Sequence, residues 1–210
     1  MDGREAMMRK AVMILGVLLI SSTCVFAMPD RVGKTDAGFH IGGLAPNSNH
    51  LDSGAYYEGS VAYGLKDWFA LGVETGYEDA GTHFMIGATD HNAKISRIPI
   101  FADLIFRHPM ADLNTVPYAV LGLGMLYTSI HGTGTLTSAN LKLDVSNSLA
   151  MKFGLGADWF INDHWSLNFE ASYVWTPADA RIINLSNGST VDSANMDYWM
   201  IGAGAKYLFD

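Results

Sequence analysis

An all-β fold, an eight-stranded antiparallel transmembrane β-barrel, is what this sequence predicts, and three observations predict it. The final stretch, residues 197–210, alternates in character: Tyr207 and Phe209 fall on one face, and Gly202, Gly204 and Lys206 on the other. Strands of this kind close into a barrel that is greasier outside than inside, which calls for a lipid solvent. Charged residues make up only 16% of the 210, against 49% apolar types and 22 glycines. Soluble domains usually carry more charge, although a lipid-transporting or secreted soluble barrel shares this composition. Past the N-terminal region no stretch resembles a membrane-spanning helix. The chain instead breaks into alternating runs joined by connections that are short and long in turn.

The N-terminal residues read as export machinery and not as fold. Arg4, Arg9 and Lys10 form a basic region, residues 11–20 an apolar core, and Val25-Phe-Ala27 a small-residue cleavage site. Cleavage after Ala27 is expected, leaving residues 28–210 as the barrel domain. A retained anchor helix is the alternative, but the apolar run is short for a span. A lipid on Cys24, the only cysteine, would need a leucine that Ser21-Ser-Thr lacks. Cys24 leaves with the peptide, so no disulfide forms and stability rests on the closed hydrogen-bond ladder.

Eight strands follow in order. The first covers 37–45. The second, 55–65, places Tyr57, Val61, Tyr63 and Leu65 opposite Glu58, Ser60, Ala62 and Gly64, and ends in a tight turn at Lys66-Asp67. The third, 68–77, sets Phe69, Leu71, Val73, Thr75 and Tyr77 against Ala70, Gly72, Glu74 and Gly76. Residues 78–92 read as a polar loop. The fourth strand, 93–106, faces Ile98, Ile100, Leu104 and Phe106 outward, with Arg97, Asp103 and Arg107 inward. After a turn over 107–115, the fifth, 116–129, turns Leu121, Leu123, Met125 and Tyr127 away from Gly122 and Gly124. A Gly/Thr-rich loop covers 130–140. The sixth, 143–157, opposes Val145, Leu149, Met151, Phe153 and Leu155 to Ser146, Ser148, Lys152, Gly154 and Gly156. The seventh, 164–175, opposes Trp165, Leu167, Phe169, Ala171, Tyr173 and Trp175 to Ser166, Asn168, Glu170 and Ser172. Residues 177–194 read as a polar loop before the closing strand.

Short turns and long loops alternate as they do when turns face the periplasm and loops the exterior, and an even strand count puts both termini on the periplasmic side. The expected address is the cell outer membrane, crossed many times after loss of the export peptide. Trp68, Tyr77, Tyr127, Trp165, Trp175, Trp199 and Phe209 are candidates for the membrane aromatic girdle, with Tyr63, Phe106 and Trp159 beside them, because amphipathic rings prefer the headgroup level. In a sandwich or lipocalin-like barrel these rings would form a core instead. Large outward rings and small inward glycines on the closing strand argue against that.

The chain resembles small bacterial outer-membrane barrels, and within them the OmpW-like family. The resemblance is carried by Ala37-Gly-Phe-His-Ile-Gly-Gly-Leu-Ala-Pro46, Tyr63-Gly-Leu-Lys-Asp-Trp-Phe-Ala-Leu-Gly-Val-Glu74 and Val116-Pro-Tyr-Ala-Val-Leu-Gly-Leu-Gly-Met-Leu-Tyr127. It implies a narrow porin-like conduit that passes small hydrophobic molecules and releases them laterally toward the membrane. It also implies outer-membrane lipids, lipopolysaccharide and the outer-membrane assembly machinery as partners, with small apolar solutes as cargo. Such barrels commonly end on an aromatic residue; here Phe209 is followed by Asp210.

The inward set contains a candidate lumen charge network: Glu58, Glu74, Arg97, Asp103, Lys152, Glu170 and Lys206. Isolated charges there would be costly, so pairing across the lumen is expected. Two arrangements fit: a salt-bridged plug that fills a barrel too narrow for an aqueous channel, or a gate in a narrow conduit. The inward glycines suit either, leaving room for large neighbours or leaving a cavity.

Other chemistry finds little support. No catalytic residue is nominated: of the histidines at 40, 50, 83, 91, 108, 131 and 164, only His40 lies within a clear strand, and no nucleophile elbow occurs. No metal or other cofactor is expected, since His83 and His91, with Asp79 and Asp90, lack a ligand spacing. The Gly-x-Gly pairs lie in strands and make no phosphate loop. A net charge of -8 without a basic stripe excludes nucleic acid. Two functions stay open, a small conduit and a non-conducting structural or adhesion barrel whose external loops bind a ligand.

Overall fold

The computed structural model describes residues 30–48, 51–86, 89–108, 110, 114–131, 140–177 and 179–210. The export peptide expected over 1–27 lies outside them, as does the central part of the 130–140 loop.

The described residues form eleven strands. They are β1 (Thr35–Pro46), β2 (Gly54–Lys66), β3 (Phe69–Ile86), β4 (Thr89–Arg107), β5 (Thr115–His131), β6 (Leu141–Asp144), β7 (Ser148–Phe160), β8 (Trp165–Trp175), β9 (Asp179–Asn184), β10 (Thr190–Asn195) and β11 (Tyr198–Phe209). Eight of them close an antiparallel barrel in the order β1-β11-β8-β7-β5-β4-β3-β2. β1 is paired with β11 along its whole length, from Thr35↔Phe209 to Pro46↔Tyr198. The expected fold class is therefore the observed one. Its physical basis is the period-two alternation: the outward Phe39, Ile41, Val61, Val73, Leu123, Leu149, Leu155 and Ile201 are all more than half exposed, which only hydrocarbon makes favourable. The closed ladder leaves no unpaired edge in the lipid.

Three expectations need correction. Residues 78–92 are not a loop: β3 and β4 continue as a paired ribbon to Ile86↔Thr89. Past Tyr77 the outward side chains Asp79 and Lys94 form an ion pair at 2.5 Å, so the alternation that marks a membrane strand fades while the pairing persists. Residues 177–194 are not a loop either, since they contain β9 and β10. The sixth expected strand, 143–157, is two elements. β6 leaves the barrel and joins a separate three-stranded sheet, β10-β9-β6, while β7 continues the wall.

That small sheet forms a platform at the end of the barrel far from the termini. Its inner face, with Leu141, Leu143, Ala180, Ile182 and Ala194, packs on Leu51, Ala93 and Ile95 of the barrel extension and on Met196. Burying such side chains stabilises the sheet by roughly 25 cal/mol per Å² of apolar area removed from water.

Candidate functional site

The inward glycines decide how the lumen is filled. A Cβ at Gly202 would overlap the Tyr56 hydroxyl, one at Gly156 the Tyr118 ring, one at Gly124 the Phe101 ring and one at Gly204 the His40 ring. Each glycine is thus the space a large inward side chain occupies. Tyr56, Phe101 and Tyr118 are all nearly inaccessible.

From the far end toward the termini the interior is a stack of layers. Beneath the platform, Arg97 Nε pairs with Glu78 Oε2 at 2.9 Å and lies 4.0 Å over the Tyr198 ring. The Tyr198 hydroxyl donates to Glu78 Oε1 at 2.7 Å. An apolar layer follows, made by Leu44, Tyr56, Phe101, Leu126, Val174 and Met200. At the centre, Lys152 Nζ bridges Glu74 and Glu170, the latter at 3.5 Å. Nearer the termini, the Tyr118 hydroxyl donates to Glu170 Oε2 at 2.8 Å. Asn168 Nδ2 reaches Tyr118 Oη at 2.7 Å and Asp158 Oδ1 at 2.6 Å. Asp158 also receives Arg31 at 3.0 Å and Lys206 at 3.1 Å, and Arg107 pairs with Asp36. Buried ions of this kind persist only when paired and hydrogen-bonded.

The cavity bounded by His40, Glu74, Asp103, Tyr118, Lys152 and Glu170 measures about 20 Å³, room for about one or two water molecules.

Of the seven lumen residues singled out from the sequence, Glu74, Asp103, Lys152, Glu170 and Lys206 line this central cavity. Arg97 belongs to the far layer, and Lys206 also reaches Asp158 in the terminal one. Glu58 is buried, and its Oε1 has no hydrogen-bond partner among the described residues. Glu78, Asp158, Arg31 and Asp36 were missed as partners. Glu78 continues the inward series Glu74-x-Gly76-x-Glu78, and Asp158 the series Gly154-x-Gly156-x-Asp158. The expected strands end at 77 and 157, one residue before each.

The aromatic candidates occupy the outer surface in two groups. Trp68, Trp165 and Phe209 sit about half exposed at the end carrying the termini and short turns. Tyr127, Trp175 and Trp199 sit similarly exposed toward the far end. Tyr77, at the same level, stacks on Tyr57 at 5.4 Å and donates to Ser96 Oγ at 2.8 Å.

Just outside the barrel wall, the Asp210 carboxylate accepts from Lys34 Nζ at 2.8 Å and meets His164 Nε2 at 3.0 Å. Lys34 first, and His164 after it, hold this carboxyl below its ordinary 3.8, at about 2. The clasp joins the entry to β1, the β7–β8 turn and the end of β11. No group of three or more His, Cys, Asp or Glu side chains placed to hold a metal occurs among the described residues.

Residues 15–209 match the family model described as the outer membrane protein beta-barrel domain. The chain belongs to that outer-membrane β-barrel family. It crosses the outer membrane many times. Among solved structures it is similar to OprG from Pseudomonas aeruginosa, at TM-score 0.75 and 15% identity over 88% of this chain and 99% of that one. It is also similar to AlkL in lipid bilayers, at TM-score 0.59 and 16% identity over 90% and 96%. Neisserial surface protein A follows at TM-score 0.55 and 15% identity over 84% and 97%. At these identities the likeness is one of fold. In sequence, the chain is 28% identical over 93 residues to an uncharacterized outer-membrane protein, y4mB, of Sinorhizobium fredii. That match spans 44% of this chain and 39% of the relative's length.

Proposed function

We propose that this protein is a non-conducting outer-membrane barrel that anchors an extracellular β-platform and presents it for binding. The observation that carries this reading is the filled lumen. Layered ion pairs and large inward side chains occupy the axis from Arg31 to Arg97, and the central cavity between them is about 20 Å³, too little for a file of water. The lumen charges serve as the plug and the aromatic groups as the girdle that sets the barrel's depth in lipid and lipopolysaccharide. On this reading the export peptide is removed after Ala27 and the assembly machinery inserts residues 28–210.

One observation favours a second reading, the OmpW-like passage of small apolar solutes. β5 continues to His131, but its pairing with β7 stops at Leu126↔Ser148. Above that point Thr128 N donates to Asn147 Oδ1 at 2.9 Å, beside Ile130 and Val145 at the edge of the apolar cluster. A side exit would open there, between β5 and β7.

Purified, folded protein in planar bilayers and in liposomes separates the two. The expected result is no single-channel current and no accelerated uptake of a small apolar solute. Solute uptake without current would transfer the conclusion to the lateral conduit, and a steady ion current would overturn both.

A further inference from the structure

The β9–β10 turn of the platform carries a feature that neither plug nor girdle uses. The β9–β10 hairpin turns through Leu185, Ser186 and Asn187 to Gly188, all exposed. Asn187-Gly188 is the only Asn-Gly pair in the sequence. Gly188 has a positive φ of 71°, and a Cβ placed there would meet nothing within 4 Å. No side chain at Gly188 itself blocks approach to its amide. The Asn187 side chain is folded along its own backbone. Its Oδ1 accepts from Ser189 N at 3.0 Å and from Ser189 Oγ at 2.8 Å.

We propose that Asn187 is a self-modifying site, at which the side-chain amide is activated by Ser189 and converted to aspartate and isoaspartate. Solvent base removes the Gly188 amide proton, and that nitrogen attacks Asn187 Cγ. The new N–Cγ bond replaces the Cγ–Nδ2 bond, and Nδ2 leaves as ammonia with a proton from water. Water then opens the cyclic imide. Attack at Cγ yields aspartate, and attack at the main-chain carbonyl yields isoaspartate with the chain running through Cγ. The net change consumes one water and releases one ammonia, with no oxidation or reduction. Charge develops on Oδ1 as the nitrogen adds, and the two Ser189 donors already point at that oxygen, as preorganised donors do at an oxyanion. One contact opposes the step: Gly188 N donates to Asn184 O at 2.8 Å. It must open first, which a hairpin tip does readily compared with a barrel strand. The product adds a negative charge to the tip of the β9–β10 hairpin and, in the isoaspartate form, one backbone atom to the turn.

Full-length folded protein in lipid vesicles, aged at neutral and mildly alkaline pH and mapped by peptide mass spectrometry, tests this. The expected result is an amide-to-acid mass gain at Asn187, eluting as two isomers, with a rate that rises in proportion to hydroxide. Asn162 and Asn195, which are also exposed, lag well behind. In S189A the conversion slows severalfold. Conversion no faster than at Asn162 or Asn195 overturns the proposal, and so does an unchanged rate in S189A.

Discussion

Replacing Lys152 with methionine tests the plug most directly. Lys152 is among the most deeply buried cations, with a side chain 1% exposed, and it lies between Glu74 and Glu170. Methionine keeps most of the volume and removes only the charge, leaving two carboxylates facing each other without a cation. The single contact to Glu170 at 3.5 Å corresponds to roughly 5 kcal/mol of gross attraction at an effective dielectric near 20. The closer contact to Glu74 contributes more. Much of that total offsets the cost of taking three ions out of water, so the net loss on removing one partner is about 3–5 kcal/mol. With a urea slope of about 2 kcal/mol per molar, the unfolding midpoint falls by roughly 2 M. The assay is urea unfolding of protein in lipid vesicles, followed by tryptophan emission. The triple variant K152M/E74Q/E170Q removes all three charges and should recover most of the loss, since neutral replacement of a buried ion network is often nearly neutral. A K152M midpoint within about 0.5 M of the parent refutes the reasoning. It would mean that water reaches the two glutamates and that the lumen is not sealed.

Gly156→Ala should destabilise by about 1–3 kcal/mol through overpacking against Tyr118, whereas Gly43→Ala, whose new Cβ meets nothing closer than 3.8 Å, should leave the same urea midpoint unchanged or slightly raised. Ile182→Ala, fully buried beneath the platform, should cost the small sheet about 2–5 kcal/mol; trypsin would then cut at Arg181 faster while the barrel keeps its folded gel mobility. Asp210 titrates at about 2 in the folded protein against 3.8 for a free carboxyl. A carboxyl depressed on folding contributes stability above its unfolded value, and that stability fades as pH falls through the folded one. Urea midpoints should therefore drop between pH 4 and pH 2 by more in the parent than in D210N, and equal drops would show that the clasp does not form.

Within the lipid, the sequence is legible because each strand states its own orientation. Phe69-x-Leu71-x-Val73 opposite Ala70-x-Gly72-x-Glu74 assigns inside and outside with no knowledge of the neighbouring strand. The physical reason is that hydrocarbon and lumen are different solvents on the two sides of one ribbon, so a period of two marks every crossing. That determined the barrel and its eight wall strands.

Tertiary structure decided what those charges do. That Lys152 of β7 meets Glu74 of β3, across the barrel, and that Lys206 instead meets Asp158, depends on strand tilt and register, which no local pattern encodes. Whether inward glycines mean cavity or filling depends on which large side chain arrives opposite, as Tyr56 does at Gly202. The platform went unread for a related reason. Outside the membrane both faces of a strand meet water unless another element covers one, so Thr190–Asn195 looks like loop until β9 pairs with it. Ile182 and Leu143 acquire an inside only once β6, β9 and the extended β4 are assembled around them.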